Sequence, residues 1–199
     1  ASSELLILSV SREMGSEKVV WIEANPEVYA ELLENLELMD AGEVKSLPFN
    51  QLISDVDDTR TDFNLYYGWD AGHLVGNKGM SSMLKADKSW WGSECYKGTL
   101  VLNALTLDTF LERNNLGFDF DLLNMDTQGA ELMVSRGATK VLENVKFINA
   151  EVTFFNAQYQ DNPKFDEVNQ YFESFGFEHV HTELCGEKNW GDGLWKKSV

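Results

Sequence analysis

The chain has 199 residues, 43% of them hydrophobic, which is enough for one domain with a substantial core. Its 33 acidic and 16 basic side chains give a net charge of -17, which repels phosphate backbones and anionic lipid headgroups and argues against nucleic acid or a membrane surface as a partner. Because Cys95 and Cys185 belong to no ligand-spaced cluster and no stretch reaches the ~18–20 apolar residues of a membrane span, we expect a reduced, cytoplasmic setting.

The first forty residues predict a helix, a strand and a second helix. A serine-capped apolar run that closes at a glycine predicts a helix over residues 2–15. The almost continuously apolar run 18–23, which ends in Glu23, is typical of a parallel strand buried on both faces. Asn25 and Pro26 then suit the cap and the first position of the next helix. This alternation indicates an α/β fold.

The middle of the chain is less regular. Two or three short strands are predicted between residues 43 and 67, with a turn-rich stretch at 55–59. Residues 68–98 have little periodicity and predict a long loop or cap inserted in the domain. A strand follows over residues 99–105, and Asp108 suits the cap of a short helix after it.

The remainder alternates strands with helices again. We predict a strand over 118–125, a helix over 130–136 closed by Gly137, a strand over 145–152, a helix over 163–175 and closing strands over 177–184 and 193–197. No repeat or linker divides the sequence, so we expect a single domain over residues 1–199.

Three acids fall where the predicted strands end. Ligands of an open parallel sheet bind beyond the carboxyl ends of its strands, so Glu23, Asp126 and Glu151 are candidate site residues. Glu23 is placed either to accept hydrogen bonds from the ribose of a nucleoside cofactor or to cap the adjacent helix without a ligand. Asp126 follows an apolar strand, so it is either a general base with a raised pKa or a helix cap.

Other reactive side chains give weaker signals. His179 and His181 share a strand face, but no third ligand follows by spacing, so we expect no metal site. Neither cysteine has a neighbouring base in the sequence, which argues against nucleophilic catalysis. Trp90 and Trp91 either stack on a sugar or cover an edge of the core.

Several motifs resemble those of FkbM-type methyltransferases, in the same order and with the same spacing along nearly the whole chain. The motifs are residues 19–26, 106–108 and 125–132 followed by Gly137-Ala138, the serine-bearing stretch 77–84, the stretch 50–55 and the closing residues 191–194. The resemblance implies a Rossmann-like methyltransferase sheet, mostly parallel with an antiparallel closing strand. It also implies S-adenosylmethionine as the methyl donor and a hydroxyl on a sugar or other small metabolite as the acceptor.

The resemblance also implies roles for individual residues. The expected cofactor-binding residues are Glu23, Ala24, Asn50, Ser54 and Gln128, with Glu23 on the ribose and residues 50–54 near the adenine. The expected acceptor-binding residues are Ser82, Trp90 and Trp91. Asp126 is the expected catalytic base, with Glu151 as the alternate.

The sequence departs from the family pattern at its start. The family's first strand and glycine-rich cofactor loop should lie just before Ser2, so we expect them upstream of the residues given. Two other functions stay open: a binding module of the same fold without transfer chemistry, and a dinucleotide-dependent oxidoreductase. The Asp-Thr-Gln-Gly-Ala-Glu stretch at 126–131 argues against the second. The sequence leaves the oligomeric state open.

Overall fold

The structure, a computed structural model, describes residues 6–9, 18–38, 45–70, 73–88, 93–155, 157–185 and 189–198. The strands are β1 (Leu6–Ser9), β2 (Lys18–Glu23), β3 (Lys45–Asn50), β4 (Leu52–Ser54), β5 (Thr59–Tyr66), β6 (Gly68–Asp70), β7 (His73–Asn77), β8 (Tyr96–Thr106), β9 (Leu122–Met125), β10 (Phe147–Thr153), β11 (Phe177–Cys185) and β12 (Trp190–Lys197). The helices are α1 (Pro26–Leu38), α2 (Leu107–Arg113), α3 (Glu131–Arg136), α4 (Thr139–Asn144) and α5 (Phe165–Glu173).

The main sheet has seven strands in the order β11-β12-β10-β9-β1-β2-β3. The pairs β2–β3 and β9–β10 are parallel, whereas β12 is antiparallel to both β10 and β11. The closing strand β12 is antiparallel to its neighbours, but β1 is antiparallel to both of its neighbours as well. Four of the six strand pairs described in this sheet are therefore antiparallel, and the prediction of a mostly parallel sheet is wrong: the sheet is mixed. β2, β3, β9, β10 and β11 run in one direction, so their carboxyl ends meet at one edge of the sheet.

The prediction of a first helix is wrong for residues 6–9. These residues form β1, which is antiparallel to β2, with Leu6 opposite Ile22, and antiparallel to β9, with Leu8 opposite Leu123. A short apolar run suits a buried strand as well as a helix, and here two neighbouring strands supply backbone partners on both sides. The other residues of the predicted helix lie outside the described ranges.

A smaller sheet, in the order β4-β8-β5, and the β6–β7 pair lie in the middle of the chain. The segment 68–98 is therefore more regular than predicted: it contains β6, β7, a 3-10 turn at Ser93–Cys95 and the start of β8. Several of its side chains are buried, namely Met80, Ser81, Ser82, Ala86 and Cys95. Burial of these side chains ties much of the segment to the rest of the protein, and its role as a cap stays a prediction.

The start of α2 differs from the prediction, and α4 was not predicted. Thr106, not Asp108, caps α2, because its Oγ1 accepts a hydrogen bond from Thr109 N at 3.1 Å. Asp108 instead accepts hydrogen bonds from the amides of Lys140 and Val141, at 2.8 and 3.2 Å. It therefore stabilises the first turn of α4, a helix that the sequence patterns did not predict. β9 is also shorter than predicted, because residues 118–121 lie outside any strand.

Close packing joins α3 to the small sheet. Gly137 ends α3 with a φ of -86°, so its position does not need the left-handed region. A Cβ at Gly137 would lie 2.1 Å from the backbone oxygen of Ser54. Only glycine permits this approach between α3 and β4, which sets the position of β4 relative to the site edge. Among the described residues, no helix combines the length and apolar character needed to cross a bilayer.

Candidate functional site

Three predicted acids lie at the carboxyl edge of the main sheet. Glu23 is the last residue of β2, and Asp126 directly follows β9. Met125 pairs with Ala150 across the parallel strands β9 and β10, so Asp126 and Glu151 are the next residues on neighbouring strands. Asp192 of β12 lies opposite Glu151. The fold therefore concentrates carboxyl groups that are distant in sequence.

Glu23 is fully buried, and among the described residues only one of its two carboxylate oxygens has a hydrogen-bond partner. Oε1 accepts a hydrogen bond from Asn25 N at 2.6 Å, whereas Oε2 is buried without a partner among the described residues. The pKa of Glu23 is raised to about 8, mainly by burial and in part by the charge of Asp126, while the amides of Asn25 and Ala24 oppose the shift. A buried oxygen of this kind is costly unless a donor reaches it, so Oε2 fits a ligand hydroxyl.

Asp126 is oriented by Gln128. Gln128 Nε2 donates to Asp126 Oδ1 at 2.7 Å, and Gln128 Oε1 accepts a hydrogen bond from the hydroxyl of Tyr159 at 2.9 Å. Ser82 Oγ donates to the backbone oxygen of Gln128 at 2.8 Å, which secures a residue in the left-handed region with φ of 52°. Burial raises the pKa of Asp126 to about 7, helped by the charge of Glu131 and opposed by Gln128.

Glu131, which the sequence patterns did not single out, shapes the same loop. It is buried at the start of α3, and its Oε1 accepts hydrogen bonds from Thr127 N, Thr127 Oγ1 and Gly129 N at 2.8, 3.1 and 3.3 Å. These bonds fold residues 127–129 over the carboxyl end of β9. The signal in the sequence was the acid that ends the motif 126–131, since an acid in the first helical turn can reach back to free amides.

Glu151 has the highest pKa of the three predicted acids. Burial raises it to about 9, with further contributions from the charges of Asp126, Glu131 and Asp192. Glu151 is therefore protonated at neutral pH, while Asp126 is close to half ionised. Among the described residues, no three His, Cys, Asp or Glu side chains form a group able to hold a metal ion.

We call the sheet edge that carries Glu23, Asp126, Glu151 and Asp192 the acidic edge. A cavity of about 40 Å³ lies beside it. Its walls include Ala24, Gln51, Leu52, Ile53, Phe63 and Ser81. Asn50 and Ser54 do not line it: Asn50 Nδ2 donates to the backbone oxygens of Glu23 and Ala24, and Ser54 Oγ bonds to Asp55. The residues between Asn50 and Ser54 line the cavity in their place, because the chain turns from β3 into β4 there.

A larger cavity of about 620 Å³ lies beyond the small sheet. Asn64 and Tyr66 of β5 line it, whereas Phe63 faces the smaller cavity, so the two cavities lie on opposite faces of β5. Trp90 and Trp91, the predicted acceptor-binding residues, lie outside the described ranges. The described residues nearest to them in the chain, Lys88 and Ser93, both line the larger cavity.

Among the described side chains, His179, Cys95 and Cys185 line neither cavity. His179 packs edge-on against Phe165 and Trp195, and its Nε2 lies 2.8 Å from Thr182 Oγ1. Cys95 and Cys185 are free thiols. The acidic edge is therefore the place where buried, partly unsatisfied polar groups converge.

Comparison with protein families gives one match. A family model described as "Methyltransferase FkbM domain" matches residues 3–179, which include every acid of the site except Asp192. Searches among curated proteins and among solved structures found no match.

Proposed function

Because the chain belongs to the FkbM methyltransferase domain family, we propose that it transfers a methyl group from S-adenosylmethionine to a hydroxyl of a sugar or another small metabolite. We assign the main sheet to the Rossmann-like methyltransferase type, since five of its strands run in one direction, and only β1 and β12 among its described strands run against them. The observation that carries the proposal is Glu23 Oε2, a buried acceptor without a donor among the described residues, at the carboxyl edge of that sheet.

The residues around Glu23 suit a nucleoside. A ribose hydroxyl would donate to Glu23 Oε2, and the apolar side chains of Leu52, Ile53 and Phe63 would contact an adenine ring. The cavity of about 40 Å³ is far below the ~300–1,000 Å³ of typical small-molecule sites, so binding requires its walls to move apart. Ser81 and Met83 line the cavity from the segment after β7 and are the walls that we expect to move.

The charge of the acidic edge suits the same cofactor. Glu23, Asp126 and Glu151 have raised pKa values partly because each carboxylate repels another. A positively charged ligand would relieve this repulsion and favour the ionised carboxylates. When bound, S-adenosylmethionine would supply an electrophilic methyl group on a sulfonium.

Asp126 is the residue that we assign to proton removal. As the acceptor oxygen bonds to the methyl carbon and the carbon–sulfur bond breaks, the hydroxyl proton passes to a base. Asp126 Oδ1 is held by Gln128, while Oδ2 accepts no hydrogen bond from the described part of the chain and is free to take the proton. A pKa of about 7 suits a base that works near neutral pH. Glu151 is protonated there, so it is the weaker candidate.

Calorimetric titration with S-adenosylhomocysteine tests the cofactor assignment. We expect the protein to bind S-adenosylhomocysteine and not NADH. Glu23→Gln replaces a carboxylate oxygen by an amide nitrogen that cannot accept the ribose hydrogen bond. Charge-assisted hydrogen bonds contribute roughly 1.5–3 kcal/mol, so we expect affinity to fall at least tenfold.

Glu34→Gln is the matched control, because Glu34 is an exposed acid in the second half of α1 and does not line the cavity beside Glu23. It should leave the affinity unchanged. Equal affinity of the unaltered protein and a folded Glu23→Gln variant would remove Glu23 from the site. Preferential binding of NADH would replace the methyltransferase proposal by the oxidoreductase alternative.

A further inference from the structure

The larger cavity, which we call the tyrosine cavity, is lined by Tyr66, Tyr96, Asn64, Thr99, Lys85 and Lys88, with Asp62, Ser93 and Gln160 among its other walls. Its volume of about 620 Å³ falls within the ~300–1,000 Å³ range of small-molecule sites. The proposed cofactor and base do not use it, since it lies on the other face of β5. Its occupant therefore needs a separate chemical argument.

Two tyrosine rings form the apolar part of the cavity wall. Their centroids are 5.6 Å apart with an angle of 51° between the planes, and Tyr96 is 47% exposed. The Tyr66 hydroxyl accepts a hydrogen bond from Ala86 N at 3.0 Å, and the Tyr96 hydroxyl lies 2.7 Å from Thr99 Oγ1. Both rings are thereby fixed at their polar ends while they present carbon faces, which suit the C–H faces of a sugar ring.

The polar side chains of the cavity retain unused hydrogen-bonding capacity. Within the part of the chain that the structure describes, the side chains of Asp62, Ser93 and Gln160 make no hydrogen bond, whereas all the groups of Asn64 are used internally. A carboxylate, a hydroxyl and an amide together match both the donors and the acceptors of sugar hydroxyls.

The charge of the cavity is unusual for this protein. Lys85 and Lys88 line it, and neither forms an ion pair among the described residues, in a chain with a net charge of -17. Asp62 is the single described acid in the wall, so cations exceed anions there. Two ammonium groups without carboxylate partners favour a ligand that brings its own negative charge.

Tyr159 lies between the Tyr66 wall of the tyrosine cavity and the loop that carries the proposed base. The hydroxyl oxygen of Tyr159 lies 2.9 Å from Gln128 Oε1 and 2.8 Å from Met80 O, so its single proton is shared between these two acceptors. The Tyr159 ring packs edge-on against Tyr66, with 6.4 Å between the ring centroids. Gln128 in turn holds Asp126. One layer of side chains therefore separates the cavity from the acidic edge.

We propose that the tyrosine cavity binds an acidic saccharide, a sugar that carries a carboxylate or a phosphate, at a site separate from the proposed cofactor site and base. This binding does not depend on methyl transfer or on the proposed function. The rings take the sugar face, the free polar side chains take its hydroxyls, and Lys85 with Lys88 takes the acidic group.

Titrations of the full chain with four probes test the proposal: glucuronate, glucose 6-phosphate, glucose and inorganic phosphate. We expect at least one of the two acidic sugars to bind at least tenfold more tightly than both glucose and phosphate, and the better of the two identifies the acidic group. The double variant Lys85→Met/Lys88→Met keeps the aliphatic length and removes both charges. It should weaken binding of that sugar at least tenfold.

Lys97→Met is the matched control, because Lys97 is an exposed lysine next to Tyr96 in β8 and does not line the cavity. It should leave sugar affinity unchanged, and Tyr96→Ala should reduce it. Failure of both acidic sugars to bind, full affinity in the double variant, or phosphate binding as tightly as the sugars would overturn the proposal. S-adenosylhomocysteine affinity, measured on the same samples, should not change in the double variant; its absence in the unaltered protein would count against the proposed function and not against the saccharide site.

Discussion

Asp126 and Glu151 are side-by-side carboxyl groups with different proton affinities. Their strands end in register, yet the pKa of Asp126 is about 7 and that of Glu151 is about 9. Gln128 donates to Asp126 and stabilises its ionised form, whereas Glu151 accepts no hydrogen bond from the described residues and faces Asp192. The amide donor of Gln128 and the additional acidic neighbours of Glu151 together place the pKa of Asp126 below that of Glu151.

Asp126→Asn tests this division of roles. Asparagine keeps the shape and the contact with Gln128 but takes up no proton, so we expect the transfer rate at saturating cofactor to fall by roughly 10²–10⁴. S-adenosylhomocysteine affinity should stay within a few fold. The rate is measured with labelled S-adenosylmethionine on an acceptor that the unaltered protein methylates. A surviving rate with reduced affinity would assign Asp126 to cofactor binding and make Glu151 the better candidate for the base.

At the level of elements, the junction of α3 and β4 positions the residues 51–53 beside Glu23. The close approach depends on Gly137, where a Cβ would lie 2.1 Å from the backbone oxygen of Ser54. Backbone is less able to yield than a flexible side chain, so one added methyl group must push α3 and β4 apart. An added Cβ at Gly137 should therefore lower the free energy of unfolding, and a single substitution measures by how much.

Gly137→Ala should lower the free energy of unfolding by about 1–3 kcal/mol, the usual cost of forcing extra volume into a packed region. Urea denaturation followed by circular dichroism measures the change. Arg136→Ala is the control, because Arg136 is an exposed neighbour at the end of α3 and alanine favours helix. A Gly137→Ala variant as stable as the control would show that the junction is loose.

Local patterns predicted the elements whose own residues decide their structure. α1, β10, α5 and β12 follow from caps, periodicity and apolar runs within each segment. β1 and α4 do not, because β1 depends on two strands distant in sequence and α4 on the Asp108 side chain from α2. The hydrophobic periodicity of one sequence segment contains no information about partners that are distant in sequence.

The same distinction applies to the candidate site. Glu23, Asp126 and Glu151 were predictable because each lies at or near the carboxyl end of an apolar strand. The roles of Tyr159 and Glu131 depend on tertiary contacts, namely a hydroxyl that reaches Gln128 and a buried carboxylate that binds three loop donors. The division of the cavities by β5 likewise required the pairing of β5 with β8.

At the scale of the whole molecule, burial of neighbouring carboxyl groups makes the free energy of unfolding depend on pH. Glu23, Asp126 and Glu151 have unfolded pKa values near 4.5, 3.8 and 4.5, and folded values of about 8, 7 and 9. Between these limits the folded protein binds more protons than the unfolded chain, so the free energy of unfolding decreases as pH rises. The contribution is fully present below about pH 3.8, the lowest of the unfolded pKa values, and is lost as pH rises through the folded pKa values.

We therefore expect the melting temperature of the protein without added ligand to fall between pH 6 and pH 8.5. One pKa unit corresponds to about 1.4 kcal/mol, or roughly 3–6 °C for a domain of this size, so scanning calorimetry at constant ionic strength resolves the change. Glu151→Gln removes the acid with the highest pKa and the repulsion it exerts on Asp126. It should raise the melting temperature at pH 8.5 and flatten the curve, while the exposed control Glu34→Gln should follow the unaltered protein. A melting temperature that rises with pH would mean that the carboxyl groups are ionised in the folded state without penalty, and the acidic edge would then be more hydrated than its burial indicates.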